Sequence, residues 1–126
     1  MPHGFVKQPN GRYAIFSTIV DDFILLDATA KEAFEEEIRR CKGYTYPGNL
    51  EHDLRRGIGN LEVDGRNWEW SPDWQEAIRT IIFTHGPEFP SRAAMLDLGL
   101  ISEAQVSILW DLAKEERGEE SKGFDR

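Results

Sequence analysis

The densest block of apolar residues is RYAIFSTIVDDFILLD, Arg12 to Asp27, rich in the Ile, Phe, Val and Leu that suit strands. Asp21 and Asp22 interrupt the block and predict two strands folded as a hairpin. Side chains alternate across a strand, so Tyr13 and Ile15 share one face and Ala14 and Phe16 the other, while Phe23 and Leu25 oppose Ile24 and Leu26. Apolar residues on both faces imply strands covered on two sides, although one longer bent strand gives nearly the same pattern. Ahead of this block, Gly4 to Gly11 ends in Pro9-Asn10-Gly11 and reads as a flexible lead-in over residues 1–11 that closes in a turn.

Helical spacing takes over after Asp27. Thr29 with Glu32 forms a capping box, and Phe34, Ile38 and Cys41 at i, i+4 and i+7 form the inward stripe of a helix over 30–42, with Glu35–Arg39 and Glu36–Arg40 as outward pairs. Gly43 to Asn49 is a turn-rich connection, and a short helix from Leu50 to Arg56 stops at Gly57 and Gly59. In LEVDGRNWEW, Asp64-Gly65 predicts a type I′ turn in a second hairpin, with Leu61 and Val63 on one strand and Trp68 and Trp70 on the other. Ser71-Pro72 then starts a helix with Trp74, Ile78 and Ile81 inward, ending at His85-Gly86-Pro87. Ser91 caps a short helix to Leu98, and Ser102 caps a last one carrying Ala104, Ile108, Leu109, Leu112 and Ala113 inward. The pattern predicts one α+β domain over 12–114, a small antiparallel sheet of two hairpins packed against three to four helices, followed by a mobile acidic tail over 115–126.

Composition fits a folded domain: 40 % hydrophobic and 30 % charged residues in 126, with six Pro and eleven Gly. Cys41 is the single cysteine, so neither an internal disulfide nor a four-thiolate zinc site can hold the core. The longest uncharged apolar run, Phe23 to Leu26, is far too short for a bilayer, which needs roughly 20 residues, and a soluble cytoplasmic protein with no membrane partner is expected. The net charge is −8, with −4 carried by residues 57–100 and −3 by residues 101–126. Such a field disfavours nucleic acid and favours a basic protein surface.

Strong local motifs are absent. Gly57-Ile58-Gly59 lacks the third glycine and the lysine of a phosphate cradle, and HExxH, GxSxG, EF-hand and paired CxxC patterns do not occur, so no cofactor or metal is expected. His52, between Glu51 and Asp53, is a weak candidate acid–base with Asp53, but neighbouring helical residues diverge by about 100° and a solvated surface explains the triplet better. His3 lies in the lead-in, and His85 sits where an imidazolium meets the negative end of a helix dipole. Cys41 continues an apolar stripe, as a small buried hydrophobe does, and Asp21-Asp22 fits a turn.

The most suggestive feature is a central group of aromatics among acids, Tyr44, Tyr46, Trp68, Trp70 and Trp74 with Glu62, Asp64, Glu69, Asp73 and Glu76, of which Trp74 and Trp70 also fit a core. Tyr44, Tyr46, Trp68, Trp70, Glu62, Asp64, Glu69 and Asp73 are the expected partner-binding residues. Trp and Tyr dominate binding hot spots, and surrounding carboxylates select a basic partner. The expected function is therefore a small acidic protein-binding module that docks on a basic surface, similar in size and charge to inhibitors and immunity-type regulators of bacterial or phage partners. Two alternatives stay open. One is a small enzyme with dispersed residues, such as His52, Asp53, Tyr44 and Tyr46, around the 43–59 loop; the other is a nucleic-acid binder through Arg39, Arg40, Lys42, Arg55 and Arg56, whose neighbouring acids offset them.

Overall fold

A computed structural model describes residues 3–42, 48–67 and 71–124, with side chains as far as residue 118. Strands β1 (His3–Lys7), β2 (Tyr13–Ser17) and β3 (Asp22–Ala28) are followed, among the described residues, by helices α1 (Ala30–Arg40), α2 (Leu50–Asp64), α3 (Trp74–His85), α4 (Arg92–Asp97) and α5 (Glu103–Phe124). The strands form one antiparallel sheet in the order β1-β2-β3, giving an α+β architecture. No described helix is long and apolar enough to cross a membrane.

The two-sided strands dictate the layering. Val6, Ala14, Phe16 and Phe23 cover one sheet face and pack against Trp74, Ala77, Ile78, Ile81 and Ile82 of α3, Met95 of α4 and Val106 of α5. Phe5, Tyr13, Ile15 and Ala28 cover the other face and meet Ala33 of α1 with Leu54 and Leu61 of α2. The expected β2 faces hold. On β3 they do not: Leu26 joins Phe23, while Leu25 joins Ile24. The register explains the shift, because Phe16 pairs with Phe23 and Ile15 with Leu25, so one step on β2 spans two on β3. A bulge of this kind inserts an extra residue and turns the residues beyond it to the opposite face.

Several expectations are corrected. The supposed lead-in contains β1, whose Phe5 and Val6 are buried on opposite faces; two apolar residues in five were too few to read as a strand without the neighbour that covers them. The first strand of the expected second hairpin does not form, and its second strand, Trp68 to Trp70, lies outside the described residues. Leu61 and Val63 belong to α2, which runs from Asn49 as N-cap through Gly57 and Gly59 to Asp64. Leu50, Leu54, Ile58 and Leu61 make a 3.6-residue stripe that packs on the sheet, and Gly65, at φ 72°, ends the helix in the left-handed conformation. Asp-Gly thus supplied the positive φ of a C-cap rather than of a hairpin turn, the same backbone requirement in a different element. α3 is capped by Asp73, which forms a capping box with Glu76, and not by Ser71. Finally, α5 extends to Phe124, through much of the segment read as a tail.

Both sheet edges are protected. On β1, the Phe5 amide donates to the buried Asn67 side-chain oxygen at 2.8 Å, and the Asn60 side chain donates to the Asn67 carbonyl at 2.9 Å. On β3, register irregularities and Asp27 at φ 57° break the flat row that another strand would need. Asp22 ties β3 to the helical side: its carboxylate accepts the Ser91 hydroxyl at 2.6 Å, the Ser91 amide at 3.1 Å and the Phe23 amide at 2.7 Å. The Ser91 side chain therefore serves Asp22 and does not cap α4, the role expected of it from sequence. Ser102 does cap α5, accepting the Gln105 amide at 3.2 Å.

Gly59 stands inside α2 with open space where a Cβ would lie. Gly59→Ala is expected to stabilise the fold by about 0.5–1 kcal/mol, read as a raised denaturation midpoint. Asn67→Ala leaves the buried Phe5 amide without its acceptor and is expected to cost about 1–3 kcal/mol in the same assay.

Candidate functional site

The acids singled out in the sequence fall into separate places. Glu62 projects from the outer side of α2 and accepts both the Tyr13 hydroxyl and the Lys7 ammonium, the latter at 2.9 and 3.0 Å. Tyr13 first and Lys7 second lower its pKa from the ordinary carboxylate value. Burial, reinforced by the Glu62 carboxylate, pushes the Tyr13 phenol up to about 12. Asp73 caps α3, accepting the Glu76 amide at 2.9 Å, and lies 3.7 Å from Arg66. Arg66 in turn forks onto Glu76 at 2.6 and 2.7 Å and donates to the Ser71 carbonyl, so this corner is a structural clasp. Asp64 is exposed at the end of α2. Tyr44, Tyr46, Trp68, Glu69 and Trp70 lie outside the described residues.

His52 is 71 % exposed on the first turn of α2, with Nδ1 3.4 Å from Asp53. A broad open depression of about 810 Å³ does lie between the end of α1 and the start of α2, lined by Ile38, Cys41, Lys42, Asn49, Leu50 and Glu51. His52 and Asp53 do not line it, so they and the thiol do not converge there. Sequence reasoning missed Glu37, which is almost fully buried on α1. Its carboxylate meets His3 Nδ1 at 2.9 Å and accepts the Cys41 thiol at 3.3 Å. Burial, with the Glu37 carboxylate adding to it, pushes the thiol up to about 11, so at neutral pH it is a donor to Glu37 and a poor nucleophile. Cys41 is half-buried rather than part of the sealed interior. Among the described residues no group of three His, Cys, Asp or Glu is placed to hold a metal ion.

His85 stands in the last turn of α3, the position expected from the sequence, and its Nε2–H also donates to the Val20 and Asp21 carbonyls at 2.8 and 3.1 Å, holding the β2–β3 turn against the end of α3.

A different surface has the form of a docking site. Helix α5 carries more apolar residues than one buried stripe needs. Val106 and Ala113 face the core, with Leu109 and Trp110 half-buried beside them. Ile108 and Leu112, expected inside, are 60 % and 49 % exposed, and Ala104 is exposed as well. The reason is angular: on a helix Ile108 and Leu112 share one stripe, roughly 100° or more away from the Val106–Ala113 stripe that the sheet side can cover. Ile108 borders an apolar groove of about 130 Å³ between α3 and α5, with Trp74, Ile78, Leu100, Ile101 and Leu109 in its walls. Gln75 and Gln105 supply its polar side chains.

Charge around this face is acidic. Glu115 and Glu116 continue the Ile108–Leu112 stripe by another turn and make no ion pair among the described residues. Two basic residues of α5 with described side chains are engaged elsewhere: Lys114 lies over the Trp110 ring and pairs with Asp111 at 3.2 Å, while Arg117 stacks on the Phe83 ring at 4.8 Å and donates to the Phe83 carbonyl. The sequence signal that could have revealed the groove was the width of the apolar arc from Val106 to Ala113, broader than a single packed face.

No protein-family model, curated protein or solved structure matches the chain.

The Tyr13–Glu62 contact has a measurable signature. The fold favours the protonated phenol, so its contribution to stability is present below pH 10 and is lost as the pH rises from 10 through about 12. The phenolate absorbance difference between the native protein and Tyr13→Phe is expected to titrate near 12; a midpoint near 10 would show that Glu62 and burial do not act on this hydroxyl.

Proposed function

We propose that this chain is a small acidic protein-binding module that docks on a basic surface of a partner, using the groove between α3 and α5. The observation that carries this reading is the exposure of Ile108 and Leu112 on one helical stripe beside an open apolar groove. Large apolar side chains left out of the core and grouped at a concave surface mark interaction sites. The surrounding carboxylates and the net charge of −8 supply long-range attraction for cations, while the apolar contact supplies the short-range affinity. This division of labour supports the regulator or inhibitor role expected from the sequence, in which the partner is a basic protein surface.

The alternatives draw less support. The basic residues named for nucleic-acid binding include Arg39 and Arg40, both paired with Glu36, and Arg55, which stacks on Phe34 at 5.0 Å. For an enzyme, the thiol in the depression is held protonated and His52 stands apart from it.

A photo-crosslinking side chain placed at position 108, compared with one at Lys31 on α1, tests the reading in extracts of the native cell. Capture of a basic protein from position 108 alone, weakening as salt shortens the screening length from roughly 8 Å toward 3 Å, is the expected result. Ile108→Asp is expected to leave stability within about 0.5 kcal/mol while weakening the captured complex roughly tenfold or more. Equal capture from both positions, or a complex indifferent to salt and to Ile108→Asp, sinks the proposal.

A further inference from the structure

Resting on the docking reading above, we infer that the α3–α5 groove takes one amphipathic α-helix of a cationic partner, with aliphatic side chains entering beside Ile108 and Leu112 and Lys or Arg side chains lying over Glu115 and Glu116. Three observations select that occupant.

The first is shape. The groove runs between two helices; Ile108 lines its α5 side, and exposed Leu112 stands one turn further along the same helical stripe, beyond the lining. Side-chain rows of this kind accept the complementary rows of another helix, whose aliphatic residues recur at the same spacing.

The second is hydrogen bonding. The walls are helical or apolar, and the groove's polar side chains are Gln75 and Gln105. An extended segment laid there would bury backbone N–H and C=O groups with too few partners, whereas a helix arrives with its backbone bonds already made. Strand addition also lacks a suitable edge, since β1 is bonded to Asn67 and β3 is bulged.

The third is charge. Residues 103–124 contain six acids and three bases, and Lys114 and Arg117 are drawn to Trp110 and Phe83. On the α3 side, Arg79 acts on Glu76, whose carboxylate the Arg66 fork also holds. A second copy of this chain would bring the same carboxylates, Glu115 and Glu116, to a self-complementary contact and repel. A cationic helix meets them with opposite charge.

Two synthetic peptides of about 18 residues with identical Leu and Lys composition test the inference on the full chain. In one the leucines recur at helical 3-4 spacing; in the other leucine and lysine alternate. The first is expected to bind at least about tenfold tighter and to gain helical circular dichroism on binding, with Ile108→Asp and 1 M salt each weakening it about tenfold. Glu115→Gln with Glu116→Gln is expected to reduce its salt dependence without changing the protein's own thermal midpoint. Equal binding of the alternating peptide, or helical-peptide binding that Ile108→Asp leaves unchanged, overturns the inference. Sedimentation of the chain alone distinguishes the remaining occupant: a monomer is expected, and a dimer abolished by Ile108→Asp assigns the groove to a second copy instead. If crosslinks from position 108 capture a basic protein but map to a non-helical segment, this inference fails while the docking reading stands; if position 108 captures nothing selectively, the docking reading itself fails.

Discussion

A three-stranded sheet with apolar side chains on both faces must be covered twice, and the rest of this molecule is arranged around that requirement. Phe5 and Val6, neighbours on β1, point into different cores, as do Ile15 and Phe16 on β2. Leaving either face in water would forfeit roughly 1.5–3 kcal/mol for each large side chain. Helices α1 and α2 close one side; α3, α4 and α5 close the other. With one cysteine in the chain, no disulfide contributes to that closure.

Covering a sheet with helices fixes layers but not their alignment, and here buried polar contacts set it. Asp22 fastens the start of β3 to Ser91, Asn67 fastens the loop after α2 to β1, and Glu37 brings α1 to His3. Each is a buried group whose partners lie far away in sequence, so misplacing a layer would strand a donor or a carboxylate in the interior. The Arg66 fork to Glu76 and the Lys7–Glu62 pair do similar work nearer the surface, where solvent screens them and the individual gain is small.

That use of charge bears on recognition. Glu62 and Asp73, which composition alone marks as partner-seeking acids, already have partners inside the chain. Glu115 and Glu116, which make no ion pair among the described residues, lie instead on the helix that also displays the surplus apolar pair. An apolar ridge continued by acids along one helical stripe is the arrangement on which the proposed docking rests. The thiol of Cys41, though it opens toward a depression, is tied to Glu37 and kept neutral.

The sequence alone determined the elements whose signals are local. The β2–β3 hairpin came from Asp21-Asp22 between apolar runs, the caps at Thr29 and Ser102 from side chains reaching only three residues along, and the α3 core stripe from its 3.6-residue spacing. Two-sided burial of the strands was also legible, because alternation with apolar residues at every position admits little else. Tertiary structure decided whatever two elements determine together. Asp64-Gly65 satisfies a hairpin and a helix end equally, and only packing of Leu54 and Leu61 on the sheet selects the helix. β1 has too few apolar residues to declare itself until β2 pairs with it and helices cover both faces. The orientation of α5, and so the exposure of Ile108 and Leu112, depends on which arc of that helix the rest of the core can reach; periodicity specifies that arcs exist, and three-dimensional contact chooses between them.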